Sequence, residues 1–200
     1  LGLSERCAFV GAIGGHFASV VSVRRLCAVQ PWLGRNWRCF SILQPTPALV
    51  AELDAFAPTV LATYPTAAVM LAGEAQRGRL QCRPREVWTG GETLSPAMRA
   101  RITQAFGAEL RNSYGASEFL PIAWECAHRR LHVNADWVIL EAVDAQHRPV
   151  PAGRLSHTTL LTNLANHLQP LIRFDIGDRI VLGGERCPCG SALPVVQVQG

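Results

Sequence analysis

The residues best suited to phosphate chemistry form one short polar segment, Asn112-Ser113-Tyr114-Gly115-Ala116-Ser117-Glu118. The segment follows a predicted strand at residues 108–111, so we expect it to be a loop at a strand end. Such a loop can offer backbone N–H groups and the Ser117 hydroxyl to a phosphate. Glu118 can hold Mg²⁺, because that ion prefers oxygen ligands. A turn with a polar rim explains these residues equally well.

Two further segments contain residue types that suit a nucleotide. Trp88-Thr89-Gly90-Gly91-Glu92 has adjacent glycines, on which a flat ring can lie because no Cβ intervenes. An ordinary strand-to-helix turn is the simpler interpretation of that segment alone. In the segment from Ile172 to Asp178, a carboxylate after a glycine turn can accept hydrogen bonds from both hydroxyls of a ribose. A β-turn with two solvated aspartates is the alternative there.

Four residues after position 125 have the donor atoms of a zinc site, namely Cys126, His132, Cys187 and Cys189. Three thiolates and one imidazole satisfy tetrahedral Zn²⁺, and four protein ligands leave no open position for chemistry. The predicted role of the ion is therefore structural: it would link the loops of a small strand-rich region and stabilise it. His128 is a competing nitrogen ligand, and a Cys-Pro-Cys turn with free thiols is the alternative without metal.

The composition narrows the class of protein. Hydrophobic residues make up 48% of the chain, which is enough for a packed core and excludes a disordered chain. The net charge of +4 permits an anionic ligand such as ATP or coenzyme A. The basic residues are scattered, which argues against nucleic acid as a partner. The oligomeric state cannot be predicted.

The cysteines and the first apolar run predict the compartment. The chain has seven cysteines, an odd number, and most lie apart among apolar neighbours, which favours reduced thiols over a disulfide framework. Residues 8–23 are mostly apolar, but glycines and His16 interrupt them and they are too few to cross a membrane. We expect a buried helix there, no membrane partner and a cytoplasmic protein.

The secondary structure that would position these polar segments can also be predicted. The first part of the chain is expected to alternate strands and helices. Strands are expected at residues 37–43, 59–63, 86–89 and 108–111, and helices at residues 46–56, 65–78 and 96–107. Proline opens each helix, where its missing N–H costs nothing. The β-α-β-α order implies parallel strands joined by crossover helices, and such sheets bind ligands at the carboxyl ends of their strands.

The pattern changes near residue 126. Strands are expected at residues 137–143, 155–163, 172–174 and 179–182, with no convincing helix among them. The predicted fold class is therefore α/β, with parallel-sheet layers and crossover helices plus a small antiparallel β subdomain. Two domains are predicted. Residues 1–125 form a partial α/β nucleotide-binding subdomain, and residues 126–200 form a small β-rich subdomain that a zinc ion would stabilise.

In this order and spacing, the three polar segments resemble the adenylate-forming superfamily of acyl–coenzyme A synthetases. The resemblance implies that Ser117 and Glu118 bind the AMP phosphate and Mg²⁺, with Asn112, Ser113 and Gly115 in the same loop. It implies an adenine pocket lined by Gly90, Gly91 and Glu92, with Tyr114 stacked near the adenine. It also implies that Asp178 holds the ribose. The fold expected from it is part of the ligase core.

Further residues resemble the phenylacetate–coenzyme A ligase branch of that superfamily. They are Glu125-Cys126, Leu131-His132, residues 158–163, Pro170-Leu171-Ile172-Arg173, Cys187-Pro188-Cys189-Gly190 and, more distantly, Gly14-Gly15-His16-Phe17. The resemblance implies an ATP-dependent ligase that activates an aryl carboxylic acid as acyl-AMP and transfers it to coenzyme A.

The family's upstream phosphate loop and its C-terminal lid have no match within this sequence. We therefore expect this chain alone to form no acyl-adenylate, and whether it acts as an enzyme is left open. A non-catalytic AMP-binding remnant and a zinc-stabilised interaction module are the alternative functions.

Overall fold

The chain divides into two compact units, Leu1–Arg111 and Asn112–Gly200. The computed structural model describes residues 5–13 and 18–199. The two predicted domains, residues 1–125 and 126–200, likewise divide the chain in two, and their boundary stays a prediction. The residues Gly14-Gly15-His16-Phe17, part of the predicted resemblance, lie outside the described residues.

The first unit is built on parallel strands connected by helices. Its strands are β1 (Cys7–Gly11), β2 (Trp37–Ser41), β3 (Val60–Thr63) and β4 (Glu86–Thr89), followed by β5 (Glu109–Tyr114), which crosses the boundary between the units. The strand order is β2-β1-β3-β4-β5, and the pairs β1–β2, β1–β3 and β3–β4 are parallel. The predicted parallel sheet is therefore confirmed.

Four α-helices accompany these strands in the described part of the first unit. They are α1 (Ala18–Val29), α2 (Thr46–Phe56), α3 (Pro65–Gln76) and α4 (Pro96–Phe106), with a short 3-10 helix at Leu33–Arg35. Proline stands in the first turn of α2, α3 and α4, as the sequence predicts. The Ser95 side chain accepts a hydrogen bond from the Met98 N–H at 3.2 Å and so caps α4.

Apolar side chains cover both faces of this sheet. In β1, Ala8 and Val10 belong to the larger core cluster, which takes its other members mainly from α2, α3 and α4. Cys7 and Phe9, which alternate with them, pack on the opposite face with Val60. Strands buried on both faces are apolar at nearly every position, so they do not alternate in sequence.

This double burial explains why the predicted buried helix at residues 8–23 is wrong. The first half of that apolar run is strand β1, and only its end belongs to α1. A short continuous apolar run fits a fully buried strand as well as a buried helix, so periodicity cannot distinguish the two.

The second unit is made of antiparallel strands, and its described residues contain no helix. Strands β6 (Ala123–Glu125), β7 (Leu131–Val133), β11 (Arg179–Gly183) and β12 (Val195–Gln199) follow the end of β5 in the order β5-β6-β7-β12-β11. Strands β8 (Val138–Val143), β9 (Thr158–Asn163) and β10 (Phe174–Asp175) form a separate three-stranded sheet. The predicted small antiparallel part is confirmed.

No helix in the described part of the chain is long and apolar enough to cross a membrane.

Candidate functional site

Ser117 and Glu118 form the tip of a tight loop that follows β5. The backbone groups of Ala116 and Phe119 exchange two hydrogen bonds, at 3.2 and 3.1 Å, which leave only these two residues between them. Both tip side chains are exposed, while Phe119 is buried in the core of the second unit. The loop therefore presents one hydroxyl and one carboxylate to solvent from a closed backbone frame.

Gly115 allows this loop to close. A Cβ added at Gly115 would lie 1.9 Å from the Leu120 carbonyl oxygen and 2.8 Å from its carbonyl carbon. These are backbone atoms, so no side-chain rotation can relieve the overlap. The glycine that the sequence places before Ser117 is thus required by the close approach of the returning chain.

Asn112 and Ser113 lie in a strand and not in the loop. The sequence predicts that the strand ends at residue 111, whereas β5 continues to Tyr114. Ser113 pairs with Trp124 of β6, and the Asn112 N–H donates to the Glu125 carboxylate at 2.9 Å. That segment is polar, so its strand conformation comes from pairing with β6 and not from intrinsic propensity.

Tyr114 and Asp178 are brought together although they lie far apart in sequence. The Tyr114 hydroxyl donates a hydrogen bond to Asp178 Oδ2 at 2.6 Å. Burial, followed by the bond to Asp178, raises the pKa of Tyr114, so the hydroxyl stays protonated and remains a donor. Two predicted site residues therefore meet where β5 ends.

The segment around Asp178 is held by further hydrogen bonds. The Thr159 hydroxyl donates to the Asp178 carbonyl at 2.7 Å. Asp175 accepts hydrogen bonds from the Thr158 hydroxyl and from the Gly177 N–H, and these two bonds lower the pKa of its carboxyl. No role is predicted from the sequence for the two threonines, because a run of Thr and Leu residues is typical of any β-strand.

The glycine turn of the first unit connects β4 to α4, so it is the strand-to-helix turn that the sequence predicts. Gly91 has a φ of +77°, and a Cβ there would lie 3.4 Å from the Tyr64 ring. The ring that lies against this glycine is therefore that of Tyr64, a residue outside the three polar segments. Tyr64 directly precedes α3, at the carboxyl end of β3.

Glu92 has a visible structural role in the same turn. Its carboxylate accepts hydrogen bonds from the Thr66 N–H and the Thr66 hydroxyl, each at 3.0 Å. Thr66 lies in the first turn of α3, where unpaired N–H groups and the helix dipole favour a negative charge. The side chain predicted to line an adenine pocket thus caps a helix.

Cys126, His132, Cys187 and Cys189 form one cluster, in which the donor atoms all lie within 4.8 Å of one another. The Cys126 and Cys187 sulfurs are 3.7 Å apart, and Cys189 Sγ is 3.4 Å from His132 Nε2. Zn–S bonds of about 2.3 Å at tetrahedral angles place two sulfurs about 3.8 Å apart. The donor set and its spacing therefore fit a tetrahedral zinc ion.

The surrounding backbone positions the four side chains of this cluster. His132 lies in β7, and its Nδ1 is 3.0 Å from the Leu193 carbonyl oxygen. A hydrogen bond from Nδ1–H to that oxygen leaves the Nε2 lone pair facing the cysteines, which is the usual arrangement of a metal-binding histidine. Cys126 begins the tight turn from β6 to β7, while the Gly190 N–H donates to the Cys187 carbonyl at 3.1 Å.

The electrostatic environment favours a thiolate at Cys126. Desolvation raises the pKa of this thiol, but the neighbouring hydrogen bonds, first those from the backbone of Arg130 and His128, outweigh it. The resulting pKa of Cys126 is about 6. By contrast, burial raises the pKa of Cys7, outside the cluster, to about 12. Of these two thiols, Cys126 is thus the one suited to bind a metal as a thiolate.

Comparison with known proteins identifies the family to which the chain belongs. A family described as AMP-binding enzyme matches residues 38–155, more than half of the chain. The chain therefore belongs to the AMP-binding enzyme family.

The relatives are distant and longer. Protein CapK of Staphylococcus aureus is 26% identical over 138 residues, which cover 68% of this chain and 29% of CapK. An open conformation of 2-hydroxyisobutyryl-CoA ligase, in complex with 2-HIB-AMP and CoA, has a TM-score of 0.80 at 22% identity. That comparison covers 96% of this chain and 44% of the ligase.

A benzoate CoA ligase from Burkholderia xenovorans LB400 has a TM-score of 0.66 at 19% identity. The aligned region covers 100% of this chain and 42% of that ligase. These likenesses confirm the predicted fold, that of an acyl-CoA ligase core, and the chain spans less than half of each of these ligases.

Proposed function

We propose that this chain is the AMP-binding part of an ATP-dependent carboxylate–CoA ligase. Such an enzyme activates a carboxylic acid as an acyl-AMP and then transfers the acyl group to coenzyme A. The observation that carries the proposal is the hydrogen bond from Tyr114 to Asp178, because it joins the proposed ribose carboxylate to the strand whose loop bears Ser117 and Glu118. Family membership and the ligase-like fold support it.

The proposed roles come from the resemblance to the adenylate-forming superfamily, and the position of each residue supports them. Ser117 and Glu118, at the exposed tip of a rigid loop, would bind the α-phosphate and hold Mg²⁺ against it. Placing a cation and hydrogen-bond donors around the phosphate stabilises the charge that develops when a carboxylate attacks it. Asp178 would bind the ribose, with Tyr114 behind it.

By the resemblance, the turn at Gly90 and Gly91 of the first unit would offer its backbone to an adenine. Glu92 would act there indirectly, because its carboxylate is already engaged in capping α3. Tyr64 joins this group, since its ring packs on Gly91 and so fixes the surface that the turn presents.

We also propose a structural zinc ion held by Cys126, His132, Cys187 and Cys189. The support is the fit of the donor spacing to a tetrahedron and the hydrogen bond that fixes the His132 ring. An ion there would tie the turn between β6 and β7 to the turn that precedes β12. A strand-rich unit without helices gains stability from such a link.

An aryl or arylacetic acid is the proposed substrate class, on the resemblance to the phenylacetate–coenzyme A ligase branch. The proposed compartment is the cytoplasm, and the seven cysteines, all free thiols, agree with a reducing environment.

Acyl-sulfamoyl adenosines, which mimic acyl-AMP but resist hydrolysis, test the substrate class. We expect the phenylacetyl analogue to bind the chain about tenfold more tightly than AMP, since the acyl group adds buried apolar contacts. The 2-hydroxyisobutyryl analogue is the matched control and should gain less. Calorimetric titration measures all three. Equal affinity for the two analogues would contradict an aryl substrate, and equal affinity for AMP would leave the chain as an AMP-binding part without an acyl site.

A further inference from the structure

We infer that Tyr114 is a positioning residue for Asp178, whose hydroxyl holds the carboxylate in the orientation that accepts the ribose hydroxyls. The inference rests on the proposed function, in which Asp178 binds the ribose of AMP. It adds a task for Tyr114 beyond stacking near the adenine.

The Tyr114 ring is held firmly by its surroundings. It is 9% exposed and belongs to the core cluster of the second unit, together with Phe119 and Ile122. A tyrosine has only two side-chain torsions, and packing of the ring fixes both. The hydroxyl therefore stands at one place, 2.6 Å from Asp178 Oδ2.

Asp178 depends on this contact for the orientation of its carboxylate. The Thr159 hydroxyl fixes its backbone carbonyl, which leaves the side-chain torsions undetermined. Among the described residues, only Tyr114 donates a hydrogen bond to the Asp178 carboxylate, and Oδ1 accepts none. Without the tyrosine hydroxyl, the half-buried side chain would have to be ordered when the ligand binds, and that ordering lowers affinity.

A purely structural role for Tyr114 makes a different prediction for ligand binding. If Tyr114 serves only as a core aromatic, its hydroxyl merely satisfies a buried polar group, and ligand binding does not depend on it. The two roles separate in a variant that keeps the ring and loses the hydroxyl. Tyr114→Phe is that variant.

The experiment compares AMP with 2′,3′-dideoxy-AMP, which lacks both ribose hydroxyls. We expect Tyr114→Phe to weaken AMP binding about fivefold, the loss from ordering one side chain, and to leave dideoxy-AMP binding unchanged. NMR titration of this chain measures such weak affinities. Thr63→Val is the matched control, since it also removes a buried hydroxyl, one that donates to the Val10 carbonyl at 2.8 Å in the first unit. It should alter neither affinity.

Each other outcome is decisive. Equal weakening of both nucleotides by Tyr114→Phe would show a structural role and overturn the inference, as would no effect on either. A crystal structure of Tyr114→Phe with the Asp178 carboxylate in its original orientation would overturn it without any ligand. If the unaltered chain binds no AMP, the proposed function itself fails, which is a different result from AMP binding that ignores Tyr114.

Discussion

Replacing Cys187 and Cys189 together by serine should remove zinc from the protein, from about one ion per chain to almost none. Two of the four ligands are lost, and serine is a poor ligand for this metal. The free energy of unfolding should fall on the order of 5 kcal/mol, because metal binding contributes directly to folding in small metal-clipped units. Elemental analysis of protein purified without chelators and a urea denaturation series measure the two effects.

The matched control for that variant is Cys27→Ser plus Cys39→Ser. Both of these cysteines are partly buried thiols of the first unit and lie outside the cluster. Zinc content should stay at the level of the unaltered chain in this control. Zinc retained after the loss of Cys187 and Cys189, or absent from the unaltered chain, would refute the proposed metal site.

Gly115→Ala should destabilise the second unit by about 3 kcal/mol, because overpacking against backbone cannot be relieved by a rotamer change. The new Cβ would lie 1.9 Å from the Leu120 carbonyl oxygen, so the loop must open to admit it. Opening breaks the paired hydrogen bonds between Ala116 and Phe119 and moves the tip that carries Ser117 and Glu118. AMP affinity should fall together with stability.

Gly184→Ala provides the comparison for this loop variant. A Cβ at Gly184 meets the Ala152 Cβ at 3.7 Å, an ordinary contact, and the residue is exposed. Thermal denaturation should find this variant within a degree or two of the unaltered chain, as for most exposed substitutions. If Gly115→Ala proves as stable as Gly184→Ala, the described closure of the loop is wrong.

Local signals in the sequence predict the first unit well. Proline in the first turn of α2, α3 and α4, and Ser95 before α4, mark helix starts that the structure confirms. Gly91 likewise lies, with a positive φ, in the predicted turn between β4 and α4. The run at residues 8–23 was mistaken because a strand buried on both faces lacks the alternation by which strands are recognised.

The second unit depends more on contacts between distant residues. The short strands β6, β7 and β12 were not predicted, since three to five residues give no clear period, and their pairing decides their conformation. The four proposed zinc ligands, in contrast, could be chosen from the sequence, because Cys and His side chains are rare and chemically distinctive. The structure brings all four together.

Side-chain partners could not be predicted at all. That Glu92 caps α3, that Tyr64 packs on Gly91 and that Tyr114 bonds Asp178 are consequences of tertiary packing. Sequence spacing indicates which residue types lie near a strand end, but not which of them use their polar atoms on one another. The resemblance therefore predicts roles for single residues but not the side-chain contacts between them.

Titration of this chain with AMP, compared between the unaltered protein and Asp178→Ala, tests the central claim most directly. We predict saturable binding with a dissociation constant of about 1 mM, weakened at least about tenfold by Asp178→Ala, which removes a charged hydrogen-bond acceptor from the ribose. Asp136→Ala removes an exposed carboxylate of the same unit and should leave the affinity unchanged. Absence of saturable AMP binding, or the same affinity in both variants, would contradict a nucleotide site at Asp178.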